Sequence, residues 1–100
     1  MTFIPFRSRF YSKILEGTKV CTARTRTYGK TGDVLDTPVG KIRLVAVTQA
    51  PLKHIAERHW HEEGVSSPEE FMAVWNEIHP KGFNPDQTVY LHRFELVELK

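Results

Sequence analysis

The sequence lacks the features that mark secreted, zinc-bound and membrane-spanning chains. Only one of its 100 residues is a cysteine, Cys21, so it offers neither an internal disulfide nor a multi-cysteine zinc site. No apolar run approaches the roughly 18 residues that cross a bilayer, and the first ten residues do not follow the pattern of a secretory signal. We therefore expect a cytoplasmic protein with no membrane partner, held together by its apolar core alone.

The sequence does have the composition of an ordinary globular domain, with 40% apolar and 26% charged residues. We expect one domain over residues 1–100. The net charge of +2 is unevenly spread: residues 1–30 carry seven Lys or Arg against one acid, a net +6, and the other seventy carry seven against eleven, a net −4. This asymmetry predicts a cationic face suited to RNA or a nucleotide. Two solvated faces that merely balance are the plainer alternative.

Apolar spacing predicts an α+β fold. A strand is predicted near Phe3, then a helix that Gly17 ends and a strand from Thr18 to Thr27. The segment KIRLVAVT alternates like a strand, Pro51 fits the first turn of a helix ending at Gly64, and TVYLHRFELVEL closes the chain as a strand. A helix between Ser67 and Pro80 has a strong start, with Ser67 as N-cap and a capping-box glutamate. This order favours a small, largely antiparallel sheet or barrel flanked by helices.

The segment from Gly17 to Arg24 has the pattern Gly-x-Lys-x-x-Thr-x-Arg, and a Gly-Asp turn follows at residues 32–33. This pattern resembles the ASCH family. Similar features are the Glu-Gly-x-x-Ser motif around Glu63, the aromatic helix containing Trp75, and Phe94-Glu95 in the final strand. The resemblance implies a PUA-like β-barrel with a cleft for a nucleic acid or a nucleoside.

Compact members of that family are N4-acetylcytidine amidohydrolases, which use a Lys, a Thr and a Glu. Carried over by motif, the resemblance implies Lys19 as proton acceptor, Thr22 as nucleophile and Glu63 as proton donor. The adjacent Glu62 is the alternative for the proton donor. The chain departs from those members in its longer run of turn residues from Lys81 to Gln87 and in its richer His and Trp content.

The chemistry can be examined without the family. Lys19 acts as a base only when neutral, and lowering its pKa by three units costs roughly 4 kcal/mol. Burial and repulsion from nearby arginines lower that pKa, whereas Glu63 needs a raised pKa to hold its proton, as partial shielding by Trp60 would provide. On a regular strand, Lys19 and Thr22 face opposite sides. They converge if Lys19 lies before the strand becomes regular or if a bulge intervenes. Gly17 favours the first alternative, because a left-handed cap there keeps Lys19 in the entering turn.

Substrate contacts are expected from two cations and two aromatic rings: Arg24, Arg26, Trp60 and Tyr28. Simpler interpretations stay open, namely that Thr22 only forms strand, that Lys19 and Glu63 are surface charges, and that the arginines make ion pairs. Cys21 and Trp75 fit the core.

No metal or cofactor is expected. His54, His59, His61 and Glu57 lie close together in the sequence, but their spacings do not match those of the metalloprotease motifs. Two functions follow: an amidohydrolase acting on N4-acylated cytidine, and an RNA-binding ASCH module, with or without ribonuclease activity. Because each phosphate contact releases counterions, RNA binding would weaken steeply with salt.

Overall fold

A computed structural model describes residues 2–100 of the chain. A 3-10 turn leads directly into the first helix, and four strands and two further helices follow. The elements in chain order are the 3-10 turn Ser8–Phe10, α1 Tyr11–Glu16, β1 Cys21–Arg24, β2 Val34–Thr37, β3 Gly40–Pro51, α2 Leu52–Arg58, α3 Pro68–Ile78 and β4 Thr88–Leu99. Among the described residues, no helix is both long and apolar enough to cross a bilayer.

The four strands form one antiparallel sheet in the order β1-β4-β3-β2. The two long strands β3 and β4 lie at its centre, with a register shift between Leu44 and Ala46. Shifts of this kind bend a strand and let a small sheet curl. The predicted α+β class and the antiparallel sheet flanked by helices are confirmed. Closure into a PUA-like barrel stays a prediction, because no ladder among the described residues joins β1 to β2.

Two helix boundaries follow the predicted chemistry. Gly17 ends α1 in the left-handed region, with φ of 81°, a conformation that only glycine adopts without steric cost. Ser67 caps α3 by accepting the backbone N–H of Glu70 at 3.0 Å. The Glu70 carboxylate closes the cap on the backbone N–H of Ser66, one residue earlier than a standard capping box.

Three predicted boundaries were wrong. The strand expected near Phe3 is reduced to an isolated bridge with Asp36. The strand predicted over 18–27 is regular only over Cys21–Arg24, because residues 18–20 bond instead to the end of α1 and to the corner after α2. The helix after Pro51 ends at Arg58, and the residues up to Gly64 form turns.

The core lies between the sheet and the helices. It contains Cys21, which is completely buried as predicted, and Trp75, which is 4% exposed. Burial raises the pKa of the Cys21 thiol to about 12, so this side chain behaves as a small apolar residue.

Candidate active site

A cavity of about 440 Å³ opens between the N-terminal segment, β1 and α3. This volume lies in the range of about 300 to 1,000 Å³ that small-molecule sites occupy. The lining comes from four parts of the chain: Pro5, Phe6, Arg7 and Phe10; Lys19, Thr22, Ala23, Arg24, Thr25 and Tyr28; Glu63 and Val65; and Phe71, Val74, Trp75, Ile78 and His79. The proposed Lys, Thr and Glu therefore face one shared space.

Lys19 lines the cavity and is 4% exposed. Its Nζ donates to the backbone oxygens of Cys21 and Glu63, at 3.0 and 2.7 Å, and lies 3.3 Å from Oε1 of Glu63. The same ammonium sits 4.7 Å from the ring centre of Phe10, within range of a cation–π contact. Every donor of the lysine head thus has an acceptor, and its position is fixed.

The corner after α2 brings Glu63 to Lys19. The backbone N–H groups of Val20 and Cys21 both donate to the carbonyl oxygen of Glu62, at 2.9 and 3.0 Å. Gly64 makes the close approach possible, because a Cβ at this position would lie 3.0 Å from the Lys19 Cβ. The φ of Gly64 is 88°, so it also supplies a left-handed turn.

Thr22 and Arg24 share one face of β1, because alternate residues of a strand point to the same side. Nε of Arg24 donates to the Thr22 hydroxyl at 2.9 Å, and its Nη2 donates to the carbonyl oxygen of Pro5 at 2.6 Å. The guanidinium carbon also lies 5.0 Å from the Phe6 ring centre and 5.2 Å from that of Tyr28. Burial lowers the pKa of Arg24 below its ordinary value, yet arginine stays charged. A fixed positive charge therefore touches the hydroxyl of Thr22.

Burial acts in opposite directions on the two members of the Lys19–Glu63 pair. It lowers the pKa of Lys19, against the attraction of the Glu63 carboxylate, and it raises the pKa of Glu63, against the attraction of the Lys19 ammonium. Both shifts favour the uncharged forms, because removing a charge from water is costly. The pair is therefore poised between an ion pair and a neutral amine beside a carboxylic acid.

The neighbouring Glu62 points away from the cavity. Its carboxylate pairs with Arg93 and with Nδ1 of His59, the latter at 2.8 Å. The hydrogen bond from Arg93, supported by His59, lowers the pKa of Glu62 to about 2. Of the two glutamates that the sequence left open, only Glu63 reaches the cavity.

The four predicted substrate contacts divide into two groups. Arg24 and Tyr28 line the cavity, whereas Arg26 and Trp60 do not. The Arg26 guanidinium carbon lies 4.2 Å from the Tyr28 ring centre, outside the lining, because β1 has already ended at Arg24. Trp60 lies in the turns after α2 and packs edge-on against His61. Trp60 therefore lies outside this lining, and its role as a shield for Glu63 or as a residue that stacks a base stays a prediction.

Sequence reasoning missed His92, which is completely buried on β4. Its Nε2 accepts the backbone N–H of Tyr28 at 3.1 Å, and its Nδ1 lies 3.3 Å from the carbonyl oxygen of Thr22 and 3.0 Å from that of Tyr90. These partners assign the proton to Nδ1 and make the imidazole neutral, and burial lowers the pKa of His92. The signal was present in the sequence, because His92 alternates with Phe94 on one face of the final strand.

Trp75 was predicted as a core residue, and its burial confirms this, but it also forms part of the cavity wall. Its ring stacks on that of His79, with centroids 3.8 Å apart and planes 16° apart. Within residues 2–100, two buried side-chain polar atoms have no hydrogen-bond partner, the Trp75 indole nitrogen and Oε2 of Glu63. Both belong to residues that line this cavity.

No protein-family model and no curated protein matches the chain. Several crystal structures do. One is a protein of Enterococcus faecalis V583 described by the family model DUF984, with TM-score 0.77 and 20% identity over 100% of this chain and 82% of that one. A second is the ASCH domain of Lactobacillus crispatus JV V101, with TM-score 0.66 and 15% identity over 98% of this chain and 78% of that one. A third is ASCH from Zymomonas mobilis, with TM-score 0.67 and 16% identity over 94% of this chain and 66% of that one. The fold of this chain is therefore similar to that of ASCH domains, as the resemblance at residues 17–24 implied.

Proposed function

We propose that this protein is an amidohydrolase that removes the acyl group from N4-acylated cytidine nucleosides. The observation that carries the proposal is the buried contact between Lys19 and Glu63 in a cavity that Thr22 also lines. Amide hydrolysis needs a nucleophile, a base for its proton, stabilisation of the oxyanion and an acid for the leaving amine. The cavity contains one candidate for each role.

The first step prepares the base and the acid together. Moving one proton from Nζ of Lys19 to Oε1 of Glu63, across 3.3 Å, converts the ion pair into a neutral amine and a carboxylic acid. Burial favours both products, as the directions of the two pKa shifts indicate. A single transfer within the pair thus gives the protonation states that the reaction needs.

Acyl transfer to Thr22 follows. The Thr22 oxygen attacks the acyl carbonyl carbon as its proton passes to the Lys19 amine, and the Arg24 guanidinium stabilises the negative charge that develops at the reacting oxygens. The C–N bond then breaks while Glu63 gives its proton to the departing N4. This leaves cytidine, an ester on Thr22, a Lys19 ammonium and a Glu63 carboxylate.

Water completes the cycle. The Glu63 carboxylate takes a proton from the attacking water, the ester bond breaks, and the Lys19 ammonium returns a proton to the Thr22 oxygen. The acid is released, and Lys19 and Glu63 are again an amine and a carboxylic acid. Atoms and charges balance without a metal or a cofactor.

The test is the release of cytidine from N4-acetylcytidine, followed by chromatography. We expect Thr22→Ala and Lys19→Met to lose about 1,000-fold or more in kcat/KM, since these groups act as a unit. Thr27→Ala is the matched control, because Thr27 is exposed and lies outside the cavity lining. Glu63→Gln is expected to lose at least about 100-fold, and Glu62→Gln to keep most of the activity. No release by the wild type, or full rates in the Thr22 and Lys19 variants, would reject the proposal.

A second candidate function is RNA binding, with or without strand cleavage. It is favoured by Arg26, which is exposed and stacks on Tyr28 at the edge of the cavity, an arrangement of cation and ring that suits a nucleic-acid strand. Binding of a single-stranded oligoribonucleotide is then expected to weaken steeply with salt, and Arg26→Gln to reduce the slope. Affinity that is absent or independent of salt would exclude this function.

A further inference from the structure

A second concavity, of about 480 Å³, continues from the first. It is lined by Thr25, His79, Pro80, Lys81, Gly82, Asn84 and Gln87. Thr25 and His79 belong to both linings, so the two spaces meet along a shared wall. The first space is by itself large enough to bind a small ligand such as a nucleoside. The second space can therefore hold a further group attached to that ligand.

The loop that forms the second concavity is held in place by hydrogen bonds. Asn76 on α3 accepts the backbone N–H of Phe83 at 2.8 Å, and the carbonyl oxygen of Gln87 accepts the N–H of Leu52 at the start of α2 at 2.8 Å. A turn closes between His79 and Gly82, with a hydrogen bond of 2.9 Å. The loop is therefore tied to both helices and presents its side chains from a defined backbone.

The chemistry of the second lining suits an anion. Its side chains include the hydroxyl of Thr25, the amides of Asn84 and Gln87 and the ammonium of Lys81, all of which can donate hydrogen bonds, and no carboxylate. Lys81 forms no ion pair with any residue from 2 to 100. His79 donates from Nδ1 to the carbonyl oxygen of Trp75, which fixes its ring as part of the wall.

The two spaces together, which we call the cleft, carry a net positive charge that also favours an anion. Four cationic residues line it, Arg7, Lys19, Arg24 and Lys81, against one acid, Glu63. The net charge of +3 is the same whether Lys19 and Glu63 form an ion pair or are both neutral. A cleft that keeps this excess throughout the reaction attracts a substrate with a negative charge of its own. A free nucleoside has none.

We infer that the second concavity binds a phosphate carried on the 5′ oxygen of the substrate's ribose, with Lys81 as its main cationic contact. This inference rests on the proposed function for the identity of the base and sugar. It makes a phosphorylated nucleoside, rather than the free nucleoside, the preferred substrate. The phosphate can belong to a free nucleotide or to an RNA chain, and the two sources differ in whether it is a monoester or a diester.

The experiment compares N4-acetylcytidine with its 5′-monophosphate at low ionic strength. We expect kcat/KM to be about tenfold higher for the monophosphate, the size of one charge-assisted hydrogen bond at an exposed site. Lys81→Gln is expected to remove the preference without lowering the rate on the free nucleoside. Lys30→Gln is the matched control, because Lys30 is exposed, lines neither space and forms no ion pair with the described residues.

A binding measurement separates this inference from the proposed function. Dissociation constants for cytidine, cytidine 5′-monophosphate and a dinucleotide with a 5′ phosphodiester on its cytidine are measured by NMR titration, without any reaction. Tighter binding of the monophosphate alone identifies a free nucleotide, and equal tightening by the dinucleotide identifies an RNA phosphate. Equal affinity for all three, or a preference that survives in Lys81→Gln, would overturn the inference. Absence of hydrolysis with the expected ranking of affinities would reject only the amidohydrolase.

Discussion

Two glutamates that are neighbours in the sequence lie in opposite environments. Glu62 sits on the outer side of the corner after α2, half-buried between Arg93 and His59, and its pKa is lowered to about 2. Glu63 sits on the inner side, buried against Lys19, and its pKa is raised. One step along the backbone therefore separates a carboxylate that is charged at neutral pH from one that can hold a proton.

The difference shows what burial adds to an ion pair. Both glutamates have a cationic partner, but on the outer side water shares the solvation of the charges, so the hydrogen bond from Arg93 dominates. On the inner side no water replaces the lost hydration, and desolvation outweighs the attraction between Lys19 and Glu63. The outer pair is suited to holding the corner together and the inner pair to exchanging a proton.

The largest expected contrast between the two sides is in stability. Lys19→Met leaves the Glu63 carboxylate buried without its hydrogen-bonded cationic partner, and we expect the free energy of unfolding at pH 8 to fall by about 3 to 5 kcal/mol. Arg93→Met breaks the partly exposed pair and is expected to cost about 1 kcal/mol or less. Urea unfolding of both variants and the wild type measures the two losses.

The pH dependence of the Lys19→Met variant is a further check. Glu63 has a raised pKa in the folded state, so its neutral form is tolerated at low pH and its charged form is penalised as the pH rises. The loss in free energy of unfolding that Lys19→Met causes is therefore expected to be smaller at pH 5 than at pH 8. Equal losses for the two methionine variants at pH 8 would mean that the inner pair is solvated much like the outer one.

An intermediate loss of stability is expected at Gly64, the glycine that lets the corner after α2 approach Lys19. Gly64→Ala places a methyl group 3.0 Å from the Lys19 Cβ at a φ of 88°, whereas Gly17→Ala at a φ of 81° meets nothing within 4 Å. Both variants pay the left-handed backbone cost of about 1 to 2 kcal/mol. Only Gly64→Ala is expected to displace Lys19 and also to lower the rate on N4-acetylcytidine. A rate loss of the same size in Gly17→Ala would show that the corner does not position Lys19.

Two helix boundaries near this corner could be predicted from the sequence, because nearby residues determine them. Gly17 predicted the left-handed end of α1, and this is found. Of the two ways in which Lys19 and Thr22 could converge, the structure has the first, with Lys19 ahead of the regular strand, which starts at Cys21. Ser67 predicted the start of α3 for an equally local reason, since a cap needs only the first helical turn.

The set of side chains that line the cavity could not be predicted, because it depends on contacts between distant segments. Nothing near Trp60 in the sequence indicates that the turns after α2 direct it away from the cavity, or that α3 supplies Trp75 instead. The choice between Glu62 and Glu63 depends on Arg93, thirty-one residues later. Alternation of apolar residues reveals which residues are buried, but only the docking of helices on the sheet determines which of them share a cavity.

The smallest expected effect concerns His92, which links the strand of Thr22 to the loop of Tyr28 behind the inner side. The folded-state pKa of His92 lies below the ordinary value of 6.5, so the unfolded chain binds a proton at this residue more readily than the folded chain. The stability that the neutral imidazole contributes is therefore lost as the pH falls below 6.5. The wild type is expected to lose up to about 1.4 kcal/mol per pH unit relative to His92→Gln, which keeps a neutral donor and acceptor. Urea unfolding between pH 7.5 and about 5.5 measures the difference in slope. Parallel slopes for the two proteins would mean that the folded chain binds a proton at His92 as readily as the unfolded chain, which requires Nε2 to give up the backbone N–H of Tyr28. The inner side would then not depend on a neutral His92.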